Sequence, residues 1–359
     1  MKIPVPEKTI GWLCEPDNPP VRYLTMKHLS GLPETDGELR EVYNSIHDYR
    51  PINIIADSRT SFLPGPDQKY RPYKKYQGLY WQIIFLGDFL ANASDPRIEE
   101  CCEAVLSLQK DNGGFRFAEM NIEIMCLNGN LLRGLIAMGY AEHPRVQKGI
   151  DHVARTIVEH NGIPCTVMEY TVYDTCYMTA PRTLRALAAY PKHLRTDAVK
   201  EAMAILCDSI YENKIYRYVR SNAKQFDAAL KLYIKSRGKT TKEERKEFKE
   251  LFLRDNPGDP HTEKKGWKRF AFPLHYNTNI LETLTALIEA EDIRKDVLAE
   301  AIEIVVGKMQ PGSTWKMDDS LNGKMHADIE KKGQPGKWNT FYALYVLKHL
   351  RGLDFIQTA

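Results

Sequence analysis

Residues 78–115 read GLYWQIIFLGDFLANASDPRIEECCEAVLSLQKDNGGF, and this stretch contains two helix patterns joined by a short turn. Apolar residues recur at steps of three and four residues on each side of Asp95-Pro96, and a proline suits the first turn of a helix. The pair Gly113-Gly114 follows the second pattern and indicates a break. The stretch therefore predicts a helical hairpin.

The same hairpin plan recurs along the chain as an internal repeat. Strand patterns are scarce, so the predicted fold class is all-α. Tandem hairpins can extend as an open solenoid or close into a ring, and their periodicity does not choose between the two. Further copies are predicted at 126–163, 175–215 and 274–315, with an initial helix pair at 21–32 and 37–49 and a last long helix at 338–353.

The repeat predicts a single domain over residues 1–359. Residues 1–75 hold the initial helical pair and a loop rich in basic and aromatic residues, and residues 216–268 form a charged helical insertion. Within the insertion, the Glu and Lys spacing of KEERKEFKELF favours a solvated helix. Nucleic-acid binding is the alternative for this segment, and a solvent-facing helix is the simpler interpretation.

The composition limits the partners of the chain. Its 359 residues are 43% hydrophobic, and 50 basic against 47 acidic residues give a net charge of +3, too balanced to indicate nucleic acid or an anionic membrane. No apolar run approaches the roughly 18 residues of a membrane helix, and residues 1–16 lack the apolar core of a signal peptide. We therefore expect a soluble, cytoplasmic protein without a membrane span. Seven cysteines in a chain of this kind predict reduced thiols.

Two stretches carry a resemblance to a known superfamily. LSLQKDNGGFRF and KWNTFYALYVLKHL, taken with the hairpin repeat over roughly residues 76–352, resemble the prenyltransferase and squalene-cyclase repeat superfamily. WLCEPDNPPVRYLTMKHLSGL, CLNGNLLRGL and GKWNTFYALYVLK are similar to a prokaryotic prenyltransferase-like subgroup. The resemblance implies an α/α toroid, in which inner and outer helices alternate around a central cavity. It also implies a zinc-dependent enzyme that transfers or rearranges an apolar or isoprenoid-like substrate.

The sequence departs from that superfamily in two motifs. Class II terpene cyclases carry a DxDD acid, which is absent here, and Asp318-Asp319 is expected to be a solvated turn. Protein prenyltransferases bind zinc through a D-x-C motif and a later His, and residues 174–177, Asp-Thr-Cys-Tyr, match the D-x-C-Y spacing. At the start of the last inner helix Asn339 stands where that His is expected, and His275 is the nearest substitute.

A zinc site is predicted from thiols at helix starts. Cys126 and Cys176 lie at the starts of predicted inner helices, as does His275, and Cys165 lies in the loop before Cys176. Three thiolates and an imidazole form a set that zinc binds tetrahedrally. Asp174 can replace one thiolate or orient the imidazole, so the fourth ligand stays open. A closed site would be structural and an open one catalytic, and core packing is the alternative for each thiol.

Substrate-binding residues are predicted in the segment QKYRPYKKYQGLYWQ and at two helix starts. Cations can bind an anionic head group at a cavity mouth, and aromatic faces can line an apolar or cationic intermediate. The alternative is a loop that packs on the first hairpin. The predicted residues are Lys74, Tyr76, Trp81, Asn130 and Tyr177.

Catalytic roles are predicted for Asp174, His275, Lys337 and Asn339. The last two follow the cationic loop NGKMHADIEKKGQPGKW at the start of the last helix, where free N–H groups can bind an anion such as diphosphate. Motifs for ATP hydrolysis, dinucleotide binding, HExxH metalloproteases and GxSxG hydrolases are absent. The rival hypothesis is a non-catalytic helical-repeat binding module with a structural Cys/His zinc site.

Overall fold

Helices account for most of the described chain. A computed structural model describes residues 2–65, 71–117, 123–164, 175–213, 215–219, 222–258, 262–274 and 278–357. The helices are α1 (Glu7–Leu13), α2 (Pro19–Leu24), α3 (Gly37–Asn44), α4 (Arg50–Asp57), α5 (Leu79–Asp88), α6 (Pro96–Ser107), α7 (Met125–Leu135), α8 (Pro144–His160), α9 (Ala180–Ala189), α10 (Asp197–Glu212), α11 (Ala223–Arg237), α12 (Lys242–Asp255), α13 (Ile280–Glu289), α14 (Lys295–Gly307) and α15 (Lys337–Leu350). The prediction of an all-α chain is confirmed at this level.

The strands in the described ranges are short. They are β1 (Ile3–Pro6), β2 (Arg217–Val219), β3 (Thr262–Glu263) and β4 (Leu353–Ile356). Strand β1 pairs in parallel with β4, and β2 pairs antiparallel with β3. The first pair joins the two ends of the described chain.

Side-chain caps explain where several helices begin. Asp95 Oδ1 accepts the N–H of Arg97 at 2.9 Å at the start of α6, and His143 Nδ1 accepts the N–H of Arg145 at 3.2 Å at the start of α8. Each cap satisfies an N–H that has no partner inside the helix, and the proline that follows removes another. The helix start predicted at Asp95-Pro96 is therefore confirmed, and α8 starts in the same way at His143-Pro144.

The hairpin helices form an inner row and an outer row. Along the inner row α5 contacts α7, α7 contacts α9, α9 contacts α13, and α13 contacts α15. Helix α5 is buried on every side, and α13 is buried from Ile280 to Ile288, whereas α6, α8, α10 and α14 each leave one face exposed. A helix that is buried all round belongs inside the core, so the inner row defines the centre of the fold.

A close backbone approach joins the first two inner helices. A Cβ atom added to Gly87 of α5 would lie 2.5 Å from the Cα of Gly134 of α7, and one added to Gly134 would lie 2.6 Å from the carbonyl oxygen of Ile83. Only glycine leaves room for backbones this close. These contacts therefore fix how α5 and α7 sit against each other.

The last inner helix meets the N-terminal region. Helix α15 contacts α1 and α2, and Lys348 Nζ donates to the carbonyl oxygens of His28 and Leu29 at 2.7 and 3.0 Å. The indole of Trp338 also approaches Phe89, which follows α5, with ring centroids 6.2 Å apart. The start of α15 therefore lies beside the end of α5.

The insertion forms a helical hairpin with its own small core. Phe226 and Leu230 of α11 are buried against Phe248 and Phe252 of α12, apart from the main core. The helix predicted in KEERKEFKELF is confirmed as α12, and a capping box formed by Thr241 and Glu244 starts it. Helix α11 was not predicted from the sequence. None of the described helices in the chain has the length and apolarity that a membrane crossing requires.

Candidate functional site

A narrow inner pocket lies among α5, α9, α13 and α15. It contains about 330 Å³ of free space, part of it continuous with solvent. Phe272, Leu281 and Tyr342 supply apolar and aromatic walls, whereas each of these helices also contributes a polar side chain. The polar lining residues on which the chemistry depends are Asp88, Arg182, Arg185, Asn279, Glu282 and Asn339.

The guanidinium group of Arg182 lies between two carboxylates at this pocket. Arg182 Nη2 is 3.5 Å from Asp88 Oδ2, and Arg182 Nε is 2.8 Å from Glu282 Oε1. The three side chains are only 2 to 3% exposed. Since Nε and Nη2 form one edge of the guanidinium plane, Asp88 and Glu282 share that edge.

Asp88 is held as a carboxylate. Burial alone would raise the pKa of its carboxyl group, but the positive charges of Arg133 and Arg182 outweigh burial and hold the pKa below its usual value. Arg133 also donates a hydrogen bond to Asp88 Oδ1. An ionised carboxylate is therefore present in a nearly dry environment.

Arg185 links this cluster to Glu289, since its Nη1 atom also lies 3.9 Å from Glu282 Oε1. Its Nε and Nη2 atoms donate to the two oxygens of Glu289, each at 2.8 Å, and its guanidinium lies 5.6 Å from the centre of the Tyr342 ring. Burial would lower the pKa of Arg185, but the negative charge of Glu289 outweighs that effect and raises the pKa. The three arginines, Arg133, Arg182 and Arg185, thus face three carboxylates, and their formal charges cancel.

Several buried polar atoms at the pocket lack a hydrogen-bond partner among the described residues. They are Asp88 Oδ2, Glu282 Oε2 and Arg182 Nε, the last of which approaches Glu282 without the alignment of a hydrogen bond. Buried polar atoms in folded proteins are nearly always satisfied by protein or by ordered water. These three atoms therefore mark the place where a bound group is expected.

An aromatic stack forms one wall of the pocket. The ring of Phe272 lies on the indole of Trp338, with centroids 3.8 Å apart and an interplanar angle of 14°. Tyr342 extends the wall, with its centroid 6.0 Å from that of Phe272. Such faces suit apolar groups and can stabilise a positive charge.

An outer cleft adjoins the inner pocket. Both are lined by Ala271 and Leu274, and the cleft contains about 740 Å³ of free space, part of it open solvent. Lys264, Arg269 and Lys324 bring positive charge to the cleft. Arg269 also pairs with Asp319, which lines the cleft, at 3.2 Å. Burial lowers the pKa of Lys264, and the nearby Cys176 opposes that shift.

Tyr76, a predicted substrate-binding residue, lines the outer cleft. Its φ of 63° lies in the left-handed region that residues other than glycine seldom adopt, and its carbonyl oxygen accepts a hydrogen bond from Gln82 at 3.0 Å. Its ring meets Trp81 edge to face at 4.9 Å. Trp81 itself is buried in the core, so of these two predicted residues Tyr76 faces the cleft and Trp81 supports it.

The other predicted substrate-binding residues lie in different environments. Lys74 is exposed on the loop before α5. Tyr177 is half-buried and packs against the core at the segment before α9. Asn130 is buried on α7, and within the described part of the chain its Oδ1 atom has no hydrogen-bond partner. None of the three lines the inner pocket or the outer cleft.

The two predicted catalytic residues at the start of α15 point to different places. Asn339 lines the inner pocket, where its Nδ2 atom donates to the carbonyl oxygen of Lys316 at 2.9 Å. Lys337 pairs with Glu15 at 2.8 Å and with Asp17, and its ammonium group lies 5.7 Å from the centre of the Trp12 ring. Asn339 therefore lies at the pocket, whereas the ammonium group of Lys337 is paired with carboxylates of the N-terminal region.

The predicted zinc site falls partly outside the described residues. Cys165, Asp174 and His275 are the predicted residues that lie outside the described ranges. Cys176 is described, and its sulfur accepts a hydrogen bond from Thr179 at 3.5 Å. Cys126 lies in the first turn of α7. The described ranges contain no group of three His, Cys, Asp or Glu residues that could hold a metal ion. Zinc stays a prediction.

Comparisons with known proteins add no family. Neither a protein-family model nor a curated protein matches this sequence. The resemblance to the prenyltransferase and squalene-cyclase repeat superfamily therefore rests on the motifs in residues 106–117 and 337–350 and on the hairpin repeat.

Asp88, Arg182 and Glu282 were not predicted from the sequence. The predicted site residues lie at helix starts and in basic loops, whereas these three residues lie within buried helices. A signal was present: an ionisable residue interrupts the apolar stretches IIFLGDFL and ILETLTALI. Charged residues are seldom fully buried unless they are paired, so such positions indicate a polar cluster.

Proposed function

We propose that the chain is an enzyme of the prenyltransferase and terpene-cyclase-like class, built as an α/α toroid. Its substrate has an apolar, isoprenoid-like part and an anionic head group. The head group binds in the outer cleft, and the apolar part extends into the inner pocket. The single observation that carries the proposal is that a cationic cleft and an aromatic-walled pocket adjoin at Ala271 and Leu274.

The contacts between helices support the toroid. The inner helices contact one another in chain order from α5 to α15, and Trp338 at the start of α15 lies beside Phe89. The pairing of β1 with β4 brings the two ends of the described chain together. An open solenoid would leave the first and last repeats apart, so these contacts favour a closed ring.

The charges along the two cavities support the orientation of the substrate. Lys264, Arg269 and Lys324 can pair with phosphate oxygens, for which lysine and arginine are the usual partners. Deeper in, Phe272 and Tyr342 offer aromatic faces, and Asp88 offers a carboxylate. When the anionic group departs, positive charge is left on the isoprenoid part of the substrate. Preorganised carboxylates and aromatic faces stabilise such charge.

Isothermal titration calorimetry with farnesyl diphosphate tests the proposal, with inorganic diphosphate and farnesol as probes of each half. We expect farnesyl diphosphate to bind more tightly than either half. Arg269→Gln and Lys324→Gln should each weaken its binding by about tenfold, because each removes a charge-assisted contact.

The matched control is Lys192→Gln. Lys192 pairs with Glu291 at 2.6 Å and is 70% exposed, so the variant removes one positive charge from another surface. Equal weakening in the control and the cleft variants would show a general charge effect. Absence of binding to the wild-type protein would reject the proposal.

A non-catalytic binding module is the second candidate. The cancellation of charge among the three arginines and three carboxylates favours it, because a balanced buried network can serve to fix helix positions alone. On this hypothesis farnesyl diphosphate binds and is recovered intact after incubation with the protein. Chromatographic detection of a new product would reject this second candidate.

A further inference from the structure

Two carboxylates converge on one edge of one guanidinium and leave acceptors unused. Asp88 Oδ2 faces Arg182 Nη2, Glu282 Oε1 faces Arg182 Nε, and the second oxygen of Glu282 has no hydrogen-bond partner within the described ranges. Asp88 Oδ2 is likewise unsatisfied, as is Arg182 Nε. All three side chains line the inner pocket and are almost fully buried.

The unsatisfied atoms define which hydrogen bonds a bound group must donate and accept. Two acceptors and one donor match a group that donates up to two hydrogen bonds and accepts one, which a water molecule does. Because the formal charges of the three arginines and three carboxylates cancel, no ion is needed to neutralise the site. The pocket has room for a water molecule beside these atoms, and the site offers the two to four polar partners that a buried water needs.

We propose that Asp88, Arg182 and Glu282 bind a single neutral oxygen that carries an O–H group. Water and a hydroxyl group of a ligand share this chemistry. A water molecule donates to both Asp88 Oδ2 and Glu282 Oε2, a ligand hydroxyl donates to one of them, and in either case the oxygen accepts from Arg182 Nε. The three residues together thus form a polar binding site in a pocket that also has aromatic walls.

A bound water at this place has a role in the reaction, a step that rests on the proposed function. The water oxygen forms a bond to the allylic carbon of the substrate, while the bond from that carbon to the diphosphate oxygen breaks. Asp88 accepts the proton that the water loses and releases it to solvent. The products are a prenyl alcohol and diphosphate. An ionised carboxylate that is a weak base suffices, since the carbon becomes cationic as the leaving group departs.

A high-resolution crystal structure of the wild-type full chain, without ligand, tests the binding site. We expect an oxygen within about 2.6–3.2 Å of both Asp88 Oδ2 and Glu282 Oε2. Direct hydrogen bonds from Arg182 to both carboxylates, with no oxygen between them, would overturn the inference. Crystals soaked in farnesol separate the two sources of the O–H group: the farnesol hydroxyl either replaces the water or leaves it in place.

Turnover of farnesyl diphosphate in water labelled with the heavy oxygen isotope tests the reaction. We expect the label in farnesol, because attack on carbon carries the water oxygen into the alcohol. Asp88→Asn and Glu282→Gln should slow label incorporation by about a hundredfold. Asp208→Asn, at an exposed ion pair with Arg294, should leave the rate unchanged.

The outcomes separate this inference from the proposed function. Unlabelled farnesol would show attack on phosphorus and overturn the reaction step, although the substrate would still be bound and consumed. An ordered oxygen at the site without any binding of farnesyl diphosphate would support the polar site and reject the proposed function. The crystallographic test uses the wild-type protein, so it stands even if a substitution prevents folding.

Discussion

The side chains of Phe272 and Trp338 stack face to face, with ring centroids 3.8 Å apart. Phe272 lies in the segment that lines both cavities, whereas Trp338 belongs to the first turn of α15. The stack therefore ties the wall of the inner pocket to the last helix of the inner row.

Phe272→Ala should destabilise the protein and widen the inner pocket. Truncation of a buried aromatic side chain costs about 3–5 kcal/mol of unfolding free energy through lost contacts and the cavity left behind. Urea denaturation measures the loss. Leu232→Ala is the control, because Leu232 is 68% exposed on α11, and it should change the free energy by no more than about 0.5 kcal/mol. Similar values for the two variants would contradict the packing described.

Gly87→Ala and Gly134→Ala should each force α5 and α7 apart. The added Cβ atoms would come within 2.5 and 2.6 Å of backbone atoms, and backbone cannot move aside as a flexible side chain can. We expect a loss of about 1–3 kcal/mol in the free energy of unfolding, measured by thermal or chemical denaturation.

The matched control for these glycines is Gly11→Ala in α1. A Cβ atom there meets nothing within 4 Å, and alanine favours helix over glycine by up to about 1 kcal/mol. The control should therefore be as stable as the wild type or more so. Destabilisation of all three variants alike would show that the close approach of α5 and α7 is not the cause.

Glu330 should make stability fall as the pH rises. Burial raises the pKa of its carboxyl group to about 7, although the N–H groups of Lys337 and Trp338, which donate to Oε1, oppose the shift. In the unfolded chain the pKa of the Glu330 carboxyl group is near 4.5. Between these two values the unfolded state loses its proton first, so the unfolding free energy decreases by about 3 kcal/mol and then levels off.

Glu330→Gln isolates this effect from other titrating groups. The neutral amide removes the ionisation of residue 330, while the charged groups that face it, Lys337 and Asp17, remain. The stability of the variant relative to the wild type should therefore increase from pH 4.5 to pH 7 by about 3 kcal/mol, as measured by urea denaturation at each pH. Parallel curves for the two proteins would refute the assignment.

Purified protein should contain zinc if the prediction from the thiols at helix starts is right. Elemental analysis should find the metal near one equivalent, and Cys176→Ser should lower it because a thiolate ligand is lost. Cys101→Ala is the control: Cys101 is buried on α6, and burial raises the pKa of its thiol to about 12, so it stays protonated and is a poor ligand. Folded wild-type protein without metal would defeat the prediction.

Local chemistry made the helices predictable from the sequence. Asp95 and His143 cap the helices that their prolines begin, and the Glu and Lys pattern of α12 reports a solvated helix. These features act over a few residues, so they can be read without knowing the rest of the fold. Helix α11 was not predicted. Its apolar residues pack mainly on α12, and the sequence has no pattern of longer range that marks this helix.

The inner pocket could not be predicted in the same way. Asp88, Arg182 and Glu282 are widely separated along the chain, and their proximity depends on the packing of α5, α9 and α13. Asp88 and Glu282 each interrupt an apolar stretch, whereas Arg182 shares its helix with Arg185. The place of Asn339 at a helix start predicts a site residue, and Asn339 does line the pocket. Lys337 occupies the same turn but pairs with Glu15, a partner that no local pattern reveals.

The pairing of β1 with β4 constrains the order in which the molecule can assemble. Ile3 of β1 pairs with Leu353 of β4, and nearly the whole described chain separates the two residues. During synthesis β1 therefore remains unpaired, with its edge uncovered, until β4 has been made. Contacts between residues so distant in sequence form slowly, so the clasp that joins the two ends is a late event of folding.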